Sequence, residues 1–197
     1  MKKVILFLIA FSFMNAGFAV DKSELKENGK IILNNSQIIY KTAYDLYSEA
    51  NLIFKLAKEN NYKDFQYKNF KVISDLSSDK TICFITLLKN GKKYSYISVF
   101  NDKISSIKNN YSKHKSNSYL FVDNSLSSVS IGDKYTKKRS YTDEEYNFID
   151  NKLSSYYTKV FYSDKKYTKK EIYNFYEDKL SSYEKNYKST IKKVIEL

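Results

Sequence analysis

Asn90-Gly91 sits between two β-rich runs, Thr81–Leu88 and Lys93–Phe100. Both central residues of a type I′ turn need φ > 0, and Asn-Gly meets that need at least cost. The pair predicts a two-residue hairpin that any fold of this chain has to contain. The turn then sets the register. Leu87 then faces Tyr94, Ile85 faces Tyr96 and Cys83 faces Ser98, while Phe84 meets Ile97 and Ile82 meets Val99 on the other face. Both faces are apolar in that register, which predicts a hairpin covered on both sides. Asn101-Asp102 offers a second tight turn into Ile104–Ile107, and Phe70–Ser74 reads as a strand before the hairpin. Tyr119–Val122 and Ser128–Ile131 read as short strands, 109–118 as an exposed loop and 132–140 as a basic linker.

Residues 36–60 read as a helix with Ser36 as its N-cap. Ile39, Ala43, Leu46, Ala50, Ile53 and Ala57 alternate at spacings of four and three, with Tyr40, Tyr44, Tyr47 and Phe54 beside them. Residues 20–35 are polar, contain Asn28-Gly29 and Asn34-Asn35, and read as a flexible leader. The last third holds an internal repeat. Tyr141–Glu145 leads into Tyr146-Asn147-Phe148 and then Lys152–Tyr156; Tyr167–Glu171 leads into Tyr173-Asn174-Phe175 and then Lys179–Tyr183. Each copy opens on Thr-x-x-Glu, the capping-box spacing, and each carries apolar residues three and four apart. The two copies predict an αα-hairpin over 142–197. The expected fold is therefore α+β: an N-terminal helix (36–60), an antiparallel β-meander of about four to six strands (65–131) and a C-terminal helix pair, in one domain over 36–197.

Residues 1–19 have the layout of a secretory signal peptide: Lys2 and Lys3, an apolar run from Val4 to Phe13, and small residues Gly17 and Ala19 before a cut at Val20. The span Val4–Val20 contains Asn15 and is short for crossing a membrane. The expected location is outside the cytoplasm, periplasmic or extracellular, with no transmembrane segment after cleavage. Cys83 is the single cysteine, so no internal disulfide is available and the core has to hold the fold.

Chemistry is sparse. Cys83 lies in an apolar strand and His114, the one histidine, lies between Lys113 and Lys115 in a polar loop. One Cys and one His do not make a zinc site of the usual ligand types. Four glycines do not build a phosphate-cradling loop. Asp143, Glu144 and Glu145 read as helix-start acids. No catalytic, cofactor-binding or metal residue is expected, and no cofactor.

The formal charge is +12, carried by 33 Lys and Arg139 alone among basic residues, with 22 acids opposing. Loss of Lys2 and Lys3 with the signal makes it +10, and the excess begins after residue 60. The absence of Pro and Trp beside abundant Lys, Asn and Tyr matches the skew of AT-rich coding, so composition supplies part of this charge. A single Arg is poor equipment for bidentate recognition of bases, which with export disfavours nucleic acid. Lys113, Lys115, Lys134, Lys137, Lys138 and Arg139 are the candidate contacts to an anionic surface. Three functional readings stay open: an exported, non-enzymatic interaction protein of the envelope or extracellular space, binding a protein or an anionic glycan or lipid surface; a secreted effector or toxin-like protein acting at membranes; and a hydrolase using carboxylates alone.

Overall fold

The computed structural model describes residues 21–112, 115–136, 140–162, 167–187 and 191–196; the expected signal segment lies outside them. The described chain is one helix, α1 (Lys22–Glu59), and twelve strands: β1 (Phe65–Tyr67), β2 (Phe70–Leu76), β3 (Ile82–Lys89), β4 (Lys92–Phe100), β5 (Lys103–Asn110), β6 (Lys115–Val122), β7 (Ser125–Thr136), β8 (Ser140–Ile149), β9 (Lys152–Tyr162), β10 (Tyr167–Tyr176), β11 (Lys179–Tyr187) and β12 (Ile191–Glu196). Each strand pairs antiparallel with its chain neighbours, so the sheet order is the sequence order. No helix of the described residues is long and apolar enough to cross a membrane.

The helix begins earlier than its periodicity suggested. Asp21 is the N-cap and accepts the Ser23 amide at 2.8 Å, while Ser36 lies mid-helix, buried, its hydroxyl donating to the Leu33 carbonyl at 2.7 Å. The expected leader is helical from Lys22 because one stripe runs unbroken through it: Leu25, Gly29, Ile32 and Ser36 continue the four–three spacing of Ile39 to Ala57. Large aliphatics stand at 25, 32, 39, 46 and 53, and small residues at 29, 36, 43, 50 and 57. The small set brings the helix backbone close to the sheet. A Cβ added at Gly29 would come within 3.2 Å of the Leu180 side chain. Glycine and serine there look like helix breakers in the sequence, but they are packing positions.

No helix pair follows the meander; residues expected as helices form β8 to β12, and the strand number is twice the upper expectation. The repeat unit is a hairpin, present four times. Ile104-Ser105-Ser106-Ile107, Leu126-Ser127-Ser128-Val129, Leu153-Ser154-Ser155-Tyr156 and Leu180-Ser181-Ser182-Tyr183 each follow a tight turn, at Asn101-Asp102, Asp123-Asn124, Asp150-Asn151 and Glu177-Asp178. Both residues of every turn have positive φ, between 47° and 67°. Such a pair is incompatible with a continuing helix and matches the twist of a hairpin.

A bulge in each hairpin explains the helical appearance of the sequence. Asn147 pairs with Ser155 but Phe148 pairs with Leu153, so Ser154 is the extra residue. Ser105, Ser127 and Ser181 are extra in the same way. The additional residue resets the alternation, and Leu153 and Tyr156, three apart, end up on one face. Three-residue spacing of apolar side chains is thus a signature of the bulge here. The serine hydroxyl repairs the ladder locally: Ser105, Ser154 and Ser181 donate to the carbonyls of Ser98, Asn147 and Asn174, each at 3.0 Å. Thr142 and Glu145 are mid-strand residues of β8, paired with Asp133 and Ser130, and cap nothing.

The Asn90-Gly91 turn forms as expected, with φ of 51° and 73°. Its register differs by one, because Tyr94 is an extra residue between the Leu88–Lys93 and Leu87–Ser95 pairs. Ile85 therefore faces Ile97, and Cys83 faces Val99. A one-residue slip exchanges faces. Cys83, Ile85, Leu87, Ile97 and Val99 are buried beneath α1, while Phe84 and Phe100 are about half exposed on the open face. The hairpin is covered on one side. β5 and β6 run into the expected loop, to Asn110 and from Lys115, and β7 and β8 into the expected linker, to Thr136 and from Ser140.

One cross-strand row ties the core together. It passes from Ile85 through Ile97, Ile107, Tyr119, Val129, Tyr146, Tyr156 and Tyr173 to Tyr183. A second row near the tight turns holds Val99, Ile104, Phe121, Leu126, Phe148, Leu153 and Phe175, all buried. α1 lies over both. Its 38 residues measure about 57 Å, against about 53 Å for eleven strand spacings.

Candidate functional site

A meander with alternating connections has two ends, and here they differ in chemistry. The turns at 101–102, 123–124, 150–151 and 177–178 share one end. They carry Asp102, Asp123, Asp150, Glu177 and Asp178, and α1 is fastened to them. Lys58 Nζ lies 2.7 Å from Asp102, and Tyr47 donates its hydroxyl to Asn124 Oδ1 at 2.7 Å. A cleft of about 450 Å³ remains between α1 and the β8–β9 and β10–β11 turns, floored by Tyr40, Phe148 and Leu153 and rimmed by Gln37, Asn151 and Asp178. Burial first, then the hydrogen bond with Tyr44, pushes the Tyr40 hydroxyl up to about 12.

At the opposite end stand the Asn90-Gly91 turn and the connections β5–β6, β7–β8, β9–β10 and β11–β12. A groove of about 720 Å³ opens there between the β3–β4 turn and the end of β5, with Lys89, Lys92, Lys93, Tyr94, Tyr111 and Ser112 among its walls and no acid. None of these three lysines has an ion-pair partner among the described residues. Lys89 Nζ stands 6.0 Å from the ring centroids of both Phe70 and Tyr94, and Lys93 Nζ 5.4 Å from that of Tyr96. Rings beneath the stems hold the ammonium groups outward at little electrostatic cost. The bulge at Tyr94 makes this wall, since the extra residue brings its ring beside Phe70, 5.0 Å between centroids.

Of the six expected anion contacts, Lys115 opens β6 and is paired with Asp133 at 3.1 Å, and Lys134 follows Asp133 on β7. Both belong to this end of the sheet. Lys113, Lys137, Lys138 and Arg139, like His114, lie outside the described residues, in the β5–β6 and β7–β8 connections. Sequence reasoning passed over Lys89, Lys92 and Lys93. Their signal was available: three lysines bracket the Asn90-Gly91 turn.

Other polar groups are spent on the fold. Tyr146, Tyr156, Tyr173 and Tyr183 form a ring ladder with centroid separations of 4.8, 5.9 and 4.8 Å. Burial raises the hydroxyls of Tyr146 and Tyr156 and takes that of Tyr173 up to about 12, so they act as neutral hydrogen-bonding groups near neutral pH. Glu171 is the ionic knot of this region. Tyr183 donates to it at 2.5 Å, and Lys169 and Lys185 lie 2.7 and 3.5 Å away. Burial opposes its ionisation, yet the Lys169 and Tyr183 hydrogen bonds and the two ammonium charges outweigh burial and leave the carboxyl below its ordinary value. Cys83 is buried, and burial first, then Asp75, pushes its thiol up to about 11. Among the described residues no three His, Cys, Asp or Glu converge as metal ligands. Neither protein-family models nor curated protein sequences gave a match to this chain.

Proposed function

We propose that this protein is an exported, non-enzymatic binding module whose lysine-rich sheet end docks on an anionic surface, an acidic glycan or lipid headgroups, outside the cytoplasm. The observation that carries the reading is the groove between the β3–β4 turn and β5, where Lys89, Lys92 and Lys93 face outward without an acid among its lining residues. Lysines near an anionic surface are drawn to it by about 1 kcal/mol each. The secretory layout of residues 1–19 places such surfaces within reach. Tyr111, 51% exposed, adds an aromatic face suited to a sugar ring or the headgroup zone.

The test is binding of the purified protein to a sulfated polysaccharide and, separately, to vesicles with and without phosphatidylglycerol, at low and physiological salt. Binding to one anionic probe that weakens with salt, and falls about 30-fold or more in the Lys89→Gln/Lys92→Gln/Lys93→Gln variant, supports the reading. Binding that is absent from both probes, or indifferent to the triple change, overturns it. The probe that binds separates glycan from lipid.

A further inference from the structure

Each of the four bulged hairpins places a large apolar residue immediately before its tight turn, on the face away from α1. These are Phe100, Val122, Ile149 and Tyr176, exposed by 53, 56, 66 and 71%. The residues just before them, Val99, Phe121, Phe148 and Phe175, point into the core and are 2 to 7% exposed. Alternation therefore assigns the first set to the open face. Two strands separate successive members, about 9.6 Å, so the four form a stripe about 29 Å long. Leu120 and Phe84, 45 and 51% exposed, lie on the same face. Beside them runs a neutral band of Ser98, Ser106, Ser128, Asn147, Ser155, Asn174 and Ser182. Nothing in the packing of the described residues requires four large apolar side chains in water, and patches of this extent on monomers usually serve a contact.

We infer that this stripe is the contact surface for a second copy of the chain, stacked open face to open face. The six side chains expose on the order of 600 Å² of mostly apolar surface, and the flanking Ser/Asn band brings the patch to about the 800 Å² per partner of a standard interface. The stripe's margin carries both signs. Lys103, Lys152 and Lys179 are the cross-strand neighbours of Phe100, Ile149 and Tyr176. Asp150, Glu177 and Asp178 stand at the tips, and these three acids with Lys152 and Lys179 have no ion-pair partner among the described residues. Lysines and acids interleaved along the margin leave it little net charge, so two copies meet without a wall of like charge, whereas acidic tips repel an anionic bilayer. A two-fold axis along the strands sets Phe100 over Tyr176 of the second copy and Val122 over Ile149, closing the contact as a dimer. The same axis puts both lysine-rich ends on one side, so a surface would be met by two grooves at once.

Sedimentation velocity of the full chain over a concentration series tests this. A dimer at micromolar protein is expected, with association weakened about 100-fold in Ile149→Glu/Tyr176→Glu. Those glutamates face Lys152 and Lys179 across the hairpins, so the variant keeps a favourable cross-strand pairing and its melting temperature serves as the folding control. As an independent readout, Val122→Cys/Ile149→Cys is expected to form a disulfide-linked dimer under oxidising conditions, Cys83 being buried. A monomer up to 100-fold higher concentration, or a dimer indifferent to the glutamates and without the disulfide, overturns the inference. Capture of a monomer by uncharged phosphatidylcholine vesicles, lost in the glutamate variant, overturns it in favour of a bilayer.

Discussion

At the tight-turn end of the sheet, four of the five connections have two residues, both at positive φ, and α1 is pinned along it by Lys58 and Tyr47. At the lysine end, strands finish at different lengths, and Lys89, Lys92 and Lys93 have no ionic partner among the described residues. The same strands serve both ends, so the difference is one of assignment. The turn end specifies the fold through its positive-φ pairs, its bulges and the helix contacts of Asp102 and Asn124. At the lysine end the fold takes up Lys68, paired with Glu49 of α1, and Lys115, and leaves Lys89, Lys92 and Lys93 as charge it does not consume. Segments that connect a rigid scaffold without packing into it are where binding residues accumulate.

The largest effect is expected in the rows that the turn end organises. Tyr183→Ala removes a ring that is 2% exposed and the hydroxyl that Glu171 accepts, and chemical denaturation should show a loss of about 3–5 kcal/mol. Next is the turn itself. Asn151→Val forces a β-branched residue to φ 66° and is expected to cost about 1–2 kcal/mol, while Lys92→Gln at the other end should stay within about 0.5 kcal/mol. Equal losses from these two changes would erase the contrast between the ends.

A smaller, pH-dependent difference belongs to Glu171. Its folded carboxyl titrates below the ordinary 4.5, so it stabilises the fold above that pH and the contribution is lost as pH falls through the lowered value. Melting temperature should decline more steeply below pH 4.5 in the native protein than in Glu171→Gln, the two curves converging at the acid extreme. Identical slopes would remove Glu171 from the account. The smallest effect is a null: a disulfide reagent at pH 8 should leave Cys83 unmodified until denaturant is added, because its thiol is pushed up to about 11 and shielded.

How far these features were legible in the chain depends on what each residue was used for. The Asn90-Gly91 turn could be read outright, because its signal is local: two residues suited to positive φ. The register around it could not, since Tyr94 as a bulge leaves no mark that distinguishes it from a paired tyrosine. The stripe on α1 was visible where alanine fills the small positions and hidden where Gly29 and Ser36 do, although all five serve the same close approach. The last third misled because a bulge every hairpin writes three-residue spacing into a strand. What would have corrected it is the recurrence of Ser-Ser after Ile104 and Leu126 as well as after Leu153 and Leu180, together with Asp150-Asn151 and Glu177-Asp178 as turns. Of the candidate anion contacts, Lys115 proved to be ion-paired with Asp133, a long-range fact that no local pattern contains.

Successive bulged hairpins meet successive stretches of α1, Leu180 at Gly29, Asn151 at Tyr44, Asn124 at Tyr47 and Asp102 at Lys58, which makes α1 a gauge for repeat number. An extra hairpin inserted by duplication would widen the sheet by about 9.6 Å and push its outermost pair of strands past the end of the helix, leaving a buried row uncapped. A lineage of this fold can therefore add or lose units only in step with whole heptads of α1. Gain of a hairpin without them should give a protein that exposes fresh apolar surface and aggregates, and seven added helical residues with the proper small-and-large alternation should rescue it.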